Sequence, residues 1–163
     1  ACLVGSEMCI RDRAIRMPLE SEQILRTQRA RIDDPDRLRQ FDFISRAAVS
    51  DTARLDTLFN SLVAAENRRI EPWTTAVIRY LNHPLREDQS VKYIRPGLEV
   101  LEEVQRTGDI FFPKNWAAAL LGNHLSSSAY EEVVRFLNER PDYSPLLKNK
   151  ILQAAYPLYR ANN

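Results

Sequence analysis

The chain has 163 residues, 23 basic and 22 acidic, for a formal charge of +1, and 44% of its residues are hydrophobic. That balance removes the electrostatic basis for binding nucleic acid or an acidic membrane surface, and no apolar run approaches the ~18 residues of a membrane span. The length suits one domain with a sizeable core, read as soluble in itself or as a soluble part of something larger.

Residues 1–13, ACLVGSEMCIRDR, do not continue into the pattern that follows. SEMCIRDR resembles the translated read-through of a sequencing adapter, so residues 1–13 are set aside as an artefact or a disordered lead, and the domain is taken as 14–163. They also lack the basic start and apolar core of a secretory signal. Cys2 and Cys9 both fall in this stretch, so residues 14–163 offer no cysteine for a disulfide or a zinc site.

From Pro18 the stretch PLESEQILRTQRAR places Glu20 and Glu22 early and its arginines late, which suits a helix dipole. Asp33 and Asp34 before Pro35 start a helix that buries Leu38, Phe41, Ile44 and Ala48 and ends near Val49. Ser50 is the expected cap of the next helix, whose face is Leu55, Leu58, Phe59, Leu62 and Val63. Pro72 opens a helix with Trp73, Ala76, Val77, Tyr80 and Leu81 on one face, stopped by Asn82, His83 and Pro84. The following helix turns Val91, Ile94, Leu98 and Leu101 inward, Pro96 and Gly97 kink or split it, and Gly108 closes it in the left-handed conformation. Pro113 starts a helix with Trp116, Leu120 and Leu121 inward, ended by Gly122. Ser126 or Ser127 caps a helix burying Tyr130, Val133, Val134 and Leu137. Ser144 and Pro145 open one burying Leu147, Ile151, Ala154, Ala155 and Leu158. No stretch alternates as a strand does.

The proline-led starts at Pro35, Pro72, Pro113 and Pro145 lie 37, 41 and 32 residues apart, each interval holding about two helices. That is the period of a helix-pair solenoid, so the expected fold is all-α, an armadillo- or HEAT-like stack of about eight helices. A compact orthogonal helical bundle would leave similar traces.

No constellation for catalysis stands out. A zinc peptidase helix needs two imidazoles one turn apart with a glutamate beside them, as in His-Glu-x-x-His, and that motif is absent. His83 and His124 lie far apart in turn contexts and read as turn-capping or surface side chains. There is no phosphate-cradling glycine loop, and Ser126, Ser127 and Ser128 read as helix-capping residues. Glu99, Glu102 and Glu103 read as a solvated face, and Trp73 and Trp116 as packing. Asp33, Asp34 and Asp36 cancel the arginines from Arg26 to Arg39. The segment Lys92, Tyr93, Arg95 and Pro96 differs, because two cations lie one turn apart at a kink, a place that exposes backbone.

Three segments together carry a family resemblance: RTQRARIDDPDRLRQFDFISRA at 26–47, NHPLREDQSVKYIRPGLEVLEEVQRTGDIFFPKNW at 82–116 and RPDYSPLLKNKILQAA at 140–155. They resemble the C-terminal helical domain of bacterial zinc aminopeptidases, the gluzincin family that includes aminopeptidase N and leukotriene hydrolase. KYIRP at 92–96 is similar to a Lys-aromatic-x-Arg-Pro element of the hydrolase, and the resemblance extends over residues 18–161. It implies a parent enzyme that removes N-terminal residues from peptides with a zinc ion, which the family holds by His-Glu-x-x-His and a downstream glutamate. The family also grips the substrate amine with Gly-x-Met-Glu-Asn and uses a tyrosine on the oxyanion. None of these motifs occurs in this sequence, so no catalytic or metal-binding residue is assigned, and the chain reads as a truncated, inactive C-terminal fragment.

On that resemblance the cofactor, zinc, belongs to the parent and not to this chain. The partners are the catalytic domain of the same polypeptide and the parent's peptide substrate, with no nucleic acid or membrane, in a bacterial cytoplasm or periplasm. The domain would wall or close the peptide chamber, with Lys92, Arg95 and Lys114, the last in a loop, as the substrate-chamber contacts. The alternative is a stand-alone helical-repeat scaffold that binds a protein partner.

Overall fold

A computed structural model describes residues 7–162, and every regular element among them is helical, so the chain is all-α. Helix α1 spans Glu7–Arg16, α2 Ser21–Arg29 and α3 Pro35–Ser45, the last running into a 3₁₀ turn at Arg46–Ala48. Then come α4 (Thr52–Ser61), a 3₁₀ turn at Ala65–Arg68, and α5 (Glu71–Leu81). A 3₁₀ turn at Pro84–Arg86, the single-turn α6 (Glu87–Ser90) and another 3₁₀ turn at Val91–Tyr93 lead to α7 (Ile94–Glu99) and α8 (Leu101–Thr107). The chain then forms α9 (Phe112–Leu121), α10 (Ser127–Asn138), α11 (Pro145–Ala154) and α12 (Tyr156–Asn162).

Local chemistry explains most of the starts. Proline occupies one of the first two positions of α3, α5, α9 and α11, where its missing N–H costs no helical bond. The Asp34 carboxylate accepts from Arg37 N at 2.8 Å, and Ser126 Oγ caps α10 by accepting from Ala129 N at 3.4 Å. Three expectations are corrected. Asp51 rather than Ser50 caps α4, accepting from Arg54 N at 3.1 Å, because it is Asp51 that has the extended backbone turning a side chain back onto the helix. The central helix divides at Val100, not at Pro96: Pro96 sits in the first turn of α7, where its missing N–H has no helical partner to lose. Gly108 is extended (φ −103°, ψ −180°) rather than left-handed. Its lack of a side chain serves packing instead, since a Cβ there would lie 2.4 Å from Phe112 Cδ1 and 2.9 Å from Glu71 Oε1.

The four proline-led helices are successive neighbours, α3 on α5, α5 on α9 and α9 on α11. Beside them, α4 lies against α5, α7 and α8 against α9, α10 between α7 and α12, and α12 against α11. At the other end α1 pairs with α2, and α2 with α3. The core runs through this arrangement as Phe41, Leu58, Phe59, Ile78, Leu98, Phe112, Trp116, Leu120, Phe136 and Ile151, all buried. Each large side chain of this kind contributes about 1.5–3 kcal/mol by burial. The inward face of α5 is rotated from the expected one: Thr74, Val77, Ile78 and Leu81 are buried, while Trp73, Ala76 and Tyr80 are half-buried. Val63 lies past the end of α4 and is exposed, because the helix stops at Ser61 and the chain turns away.

Residues 7–13, set aside in the sequence reading, form most of α1. Arg11 is buried, 5.1 Å above the Phe41 ring, and donates to Ser45 Oγ at 3.2 Å, while Asp12 meets His83 Nε2 at 2.9 Å. Cys9 is not a free thiol, and Cys2, with the rest of residues 1–6, lies outside the described residues.

Candidate functional site

The segment from Val91 to Pro96 sits where α4, α7 and α10 approach one another, and its charged side chains go to different neighbours. The Lys92 ammonium pairs with Asp56 Oδ1 on α4 at 2.6 Å, and the same oxygen accepts the Tyr93 hydroxyl at 2.6 Å. Tyr93 is buried with its ring stacked on Phe59, centroids 4.6 Å apart. Burial, then the Asp56 carboxylate, push its phenol far above the ordinary range, so it is a permanent donor. The Lys92 and Tyr93 hydrogen bonds together hold Asp56 below the usual carboxylate range. Behind this pair the Arg86 guanidinium donates to the Ala47 carbonyl at 2.7 Å and to that of Val49, closing the turn after α3.

One turn on, Arg95 pairs closely with Glu139, at the end of α10, and with Glu99 at 3.4 Å. The Glu139 pairing comes first in raising the guanidinium's affinity for its proton. Arg140 meets the same two carboxylates, Glu99 at 3.4 Å and Glu139 at 3.6 Å, and lies 4.2 Å from the Phe136 ring centre. Beside it a depression of about 390 Å³ is lined in part by Glu102, Asp142 and Tyr143. The Tyr143 hydroxyl there has no hydrogen-bond partner among the described residues, and burial pushes it up to about 12.

Lys92 and Arg95 therefore act as two ends of a clasp, tying α4 to α10 through the start of α7. Their charges are matched by carboxylates. Lys114 stands apart: it lies in the first turn of α9, not in a loop, is exposed, and its side chain makes no hydrogen bond or ion pair among the described residues. The residues that complete the clasp, Asp56, Arg86 and Glu139, were not singled out in the sequence. Each is an ordinary surface-type residue in its own helix or turn, and only tertiary placement gives it a partner. Glu103, read as part of a solvated face, pairs at 2.7 Å with Arg68, which is buried and also donates to the Leu62 carbonyl at 3.1 Å.

The histidines are both engaged. His83 accepts from Leu85 N through Nδ1 at 3.2 Å, as a turn-capping residue should, and its Nε2 meets Asp12. His124 departs from the surface reading, for it is 1% exposed. Asn82 uses its amide nitrogen on the Ile78 carbonyl at 2.9 Å, so its Oδ1 is an acceptor and the His124 Nε2–H donates to it at 2.9 Å. His124 Nδ1 then carries the lone pair of the neutral ring, with no hydrogen-bond partner among the described residues and 3.7 Å from Glu87 Oε1. Burial holds this imidazole below its usual range against the weaker pull of Glu87. Glu87 Oε1 accepts Leu125 N at 2.5 Å and Ser126 N at 2.6 Å, which tethers α6 to the entry of α10. Burial raises the Glu87 carboxyl, but these backbone bonds outweigh it and the net shift is downward.

Among the described residues no group of three or more His, Cys, Asp and Glu is placed to hold a metal ion, and the partners of His83 and His124 do not fit a zinc site. No helix among them is long and apolar enough to cross a membrane. Comparison with protein-family models, curated proteins and solved structures finds no match to this chain.

Proposed function

We propose that the chain is a non-catalytic, all-helical domain of a zinc aminopeptidase related to aminopeptidase N and leukotriene hydrolase, walling or closing the chamber in which the parent trims peptides. The family-like segments at 26–47, 82–116 and 140–155 support the reading, and so does the serial packing of the proline-led helices in an all-α chain. The observation that carries it is an exposed apolar surface at the starts of α5 and α9. Glu71 Oε1 accepts Asp109 N at 2.9 Å, which joins the start of α5 to the turn before α9, and Ile70 (47% exposed), Ile110 (79%) and Phe111 (65%) flank these two residues in the chain. Three large apolar side chains left exposed at two joined turns suit a face covered by another domain. In this reading that cover is the catalytic domain, which holds the zinc, and Lys92 and Arg95 shape the chamber wall by joining α4, α7 and α10.

The test is hydrolysis of aminoacyl anilides by the purified chain with added zinc. No turnover is expected, and zinc-dependent turnover would overturn the reading. Sequencing the source locus upstream of Ala14 decides the other half. A frame running into a His-Glu-x-x-His helix is expected; a start codon close to Met17 would replace the reading with a stand-alone helical-repeat scaffold, whose partner would occupy the Ile70, Ile110 and Phe111 surface.

A further inference from the structure

α11 packs against α9 and α12, and the side turned away from both is uncovered and mixes apolar with uncharged polar side chains. At 100° per residue, Leu147, Ile151 and Ala155 share the buried side. The opposite side presents Leu146 (54% exposed), Asn149, Gln153 and, just past the helix end, Tyr156 (61%). Leu152 is half-buried at its border, and with Asn149, Gln153 and Tyr156 it lines a depression of about 420 Å³. Lys148 and Lys150 project on the two flanks of this stripe by the same helical geometry.

The charge here is one-sided. From Tyr143 to Asn163 the chain contains Lys148, Lys150 and Arg160 and no acidic residue, so this stretch carries +3 while residues 1–142 carry −2 of the overall +1. None of the three cations forms an ion pair among the described residues. Arg160 instead lies 5.9 Å from the Tyr156 ring centre.

We infer that this face of α11 is a docking surface for an amphipathic helix of a protein partner, one whose apolar stripe is bordered by carboxylates. Three features define the occupant. α9 already packs along one side of α11 as α5 packs along α9, so the open side continues the same helix-on-helix geometry. Lysines on both borders select glutamate or aspartate flanks, and the Asn149 and Gln153 amides between them can donate to those carboxylates. Three cations are fewer than the four to eight typical of segments that hold anionic lipid, which favours a protein partner. The inference does not depend on the aminopeptidase reading.

The experiment uses the purified chain and a fluorescein-labelled synthetic peptide, a helix with leucines at three- and four-residue spacing flanked by glutamates. A second peptide has lysine at every glutamate position. Fluorescence anisotropy is expected to show salt-sensitive binding of the first and none of the second. Lys148→Glu combined with Lys150→Glu should weaken binding at least about tenfold, as should Tyr156→Ser, with circular dichroism unchanged. Equal binding of both peptides, no binding of the acidic one, or binding only to vesicles of anionic lipid overturns the proposal. Sedimentation equilibrium supplies the remaining arm: self-association abolished by Lys148→Glu and Lys150→Glu would assign the face to a second copy and overturn it too.

Discussion

Trp116 concentrates several interactions in one side chain. Its indole is 1% exposed, its Nε1–H donates to the Gly97 carbonyl at 2.9 Å, and its ring meets the edge of Phe112 at a centroid distance of 5.9 Å. Trp116→Ala removes all three and leaves a cavity between α7 and α9, so a loss of about 3–5 kcal/mol is expected by urea titration. Trp116→Phe retains most of the volume and leaves the Gly97 carbonyl unpaired, at about 1–3 kcal/mol. A loss near zero for the alanine variant would refute the core placement. Trp73, by contrast, is half-buried and tilted against Phe43, centroids 5.8 Å apart. Helical spacing placed both tryptophans in packing roles, but the depth of each depends on the neighbouring helix, which spacing within one helix does not encode.

At the scale of elements, the contact between α7 and α9 is set by a missing side chain. A Cβ on Gly97 would lie 2.7 and 2.8 Å from the two terminal carbons of Leu120, which is itself fully buried and has little room to withdraw. Gly97→Ala is therefore expected to cost about 1–3 kcal/mol through overpacking. Leu120→Ala alone should cost about 2–5 kcal/mol. Combined, the two should cost less than their sum, because the new methyl fills part of the space the leucine leaves. Strict additivity in a double-mutant cycle would refute the close approach. The starts of α3, α5, α9 and α11 were legible in the sequence because a proline or a capping carboxylate acts within its own turn. The break at Val100 and the extended Gly108 were not, since both answer to packing: Gly108 is hemmed in by Phe112 and Glu71.

Across the whole molecule, the turns between helices are joined by polar groups whose protonation affects the fold. His124 has a lower proton affinity folded than unfolded, so its contribution is complete above its unfolded value of about 6.5 and is lost as the pH falls below it. Glu87 is also shifted down, and its contribution is lost as the pH falls through its folded value. The two effects have the same sign. The urea midpoint should drop between pH 7.5 and 5, and His124→Gln, which removes the titrating ring, should flatten that part of the profile. An unchanged slope would refute the buried neutral imidazole. The all-α class and the order of the helices were legible in the chain's periodicity, whereas the clasp through Lys92 and Arg95 was visible only as two cations one turn apart. Their partners Asp56 and Glu139 lie in other helices, in contexts no different from those of other exposed acids.

The succession of α3, α5, α9 and α11, each seated on the one before, also bears on how the chain reaches this state. Contacts between residues close in sequence outnumber the distant ones, although α5 reaches α9 past α6, α7 and α8, so most of the loops closed during folding are short. Low contact order of this kind favours folding in microseconds to milliseconds. The contact between α1 and His83 spans a much longer stretch of chain and belongs among the last to form.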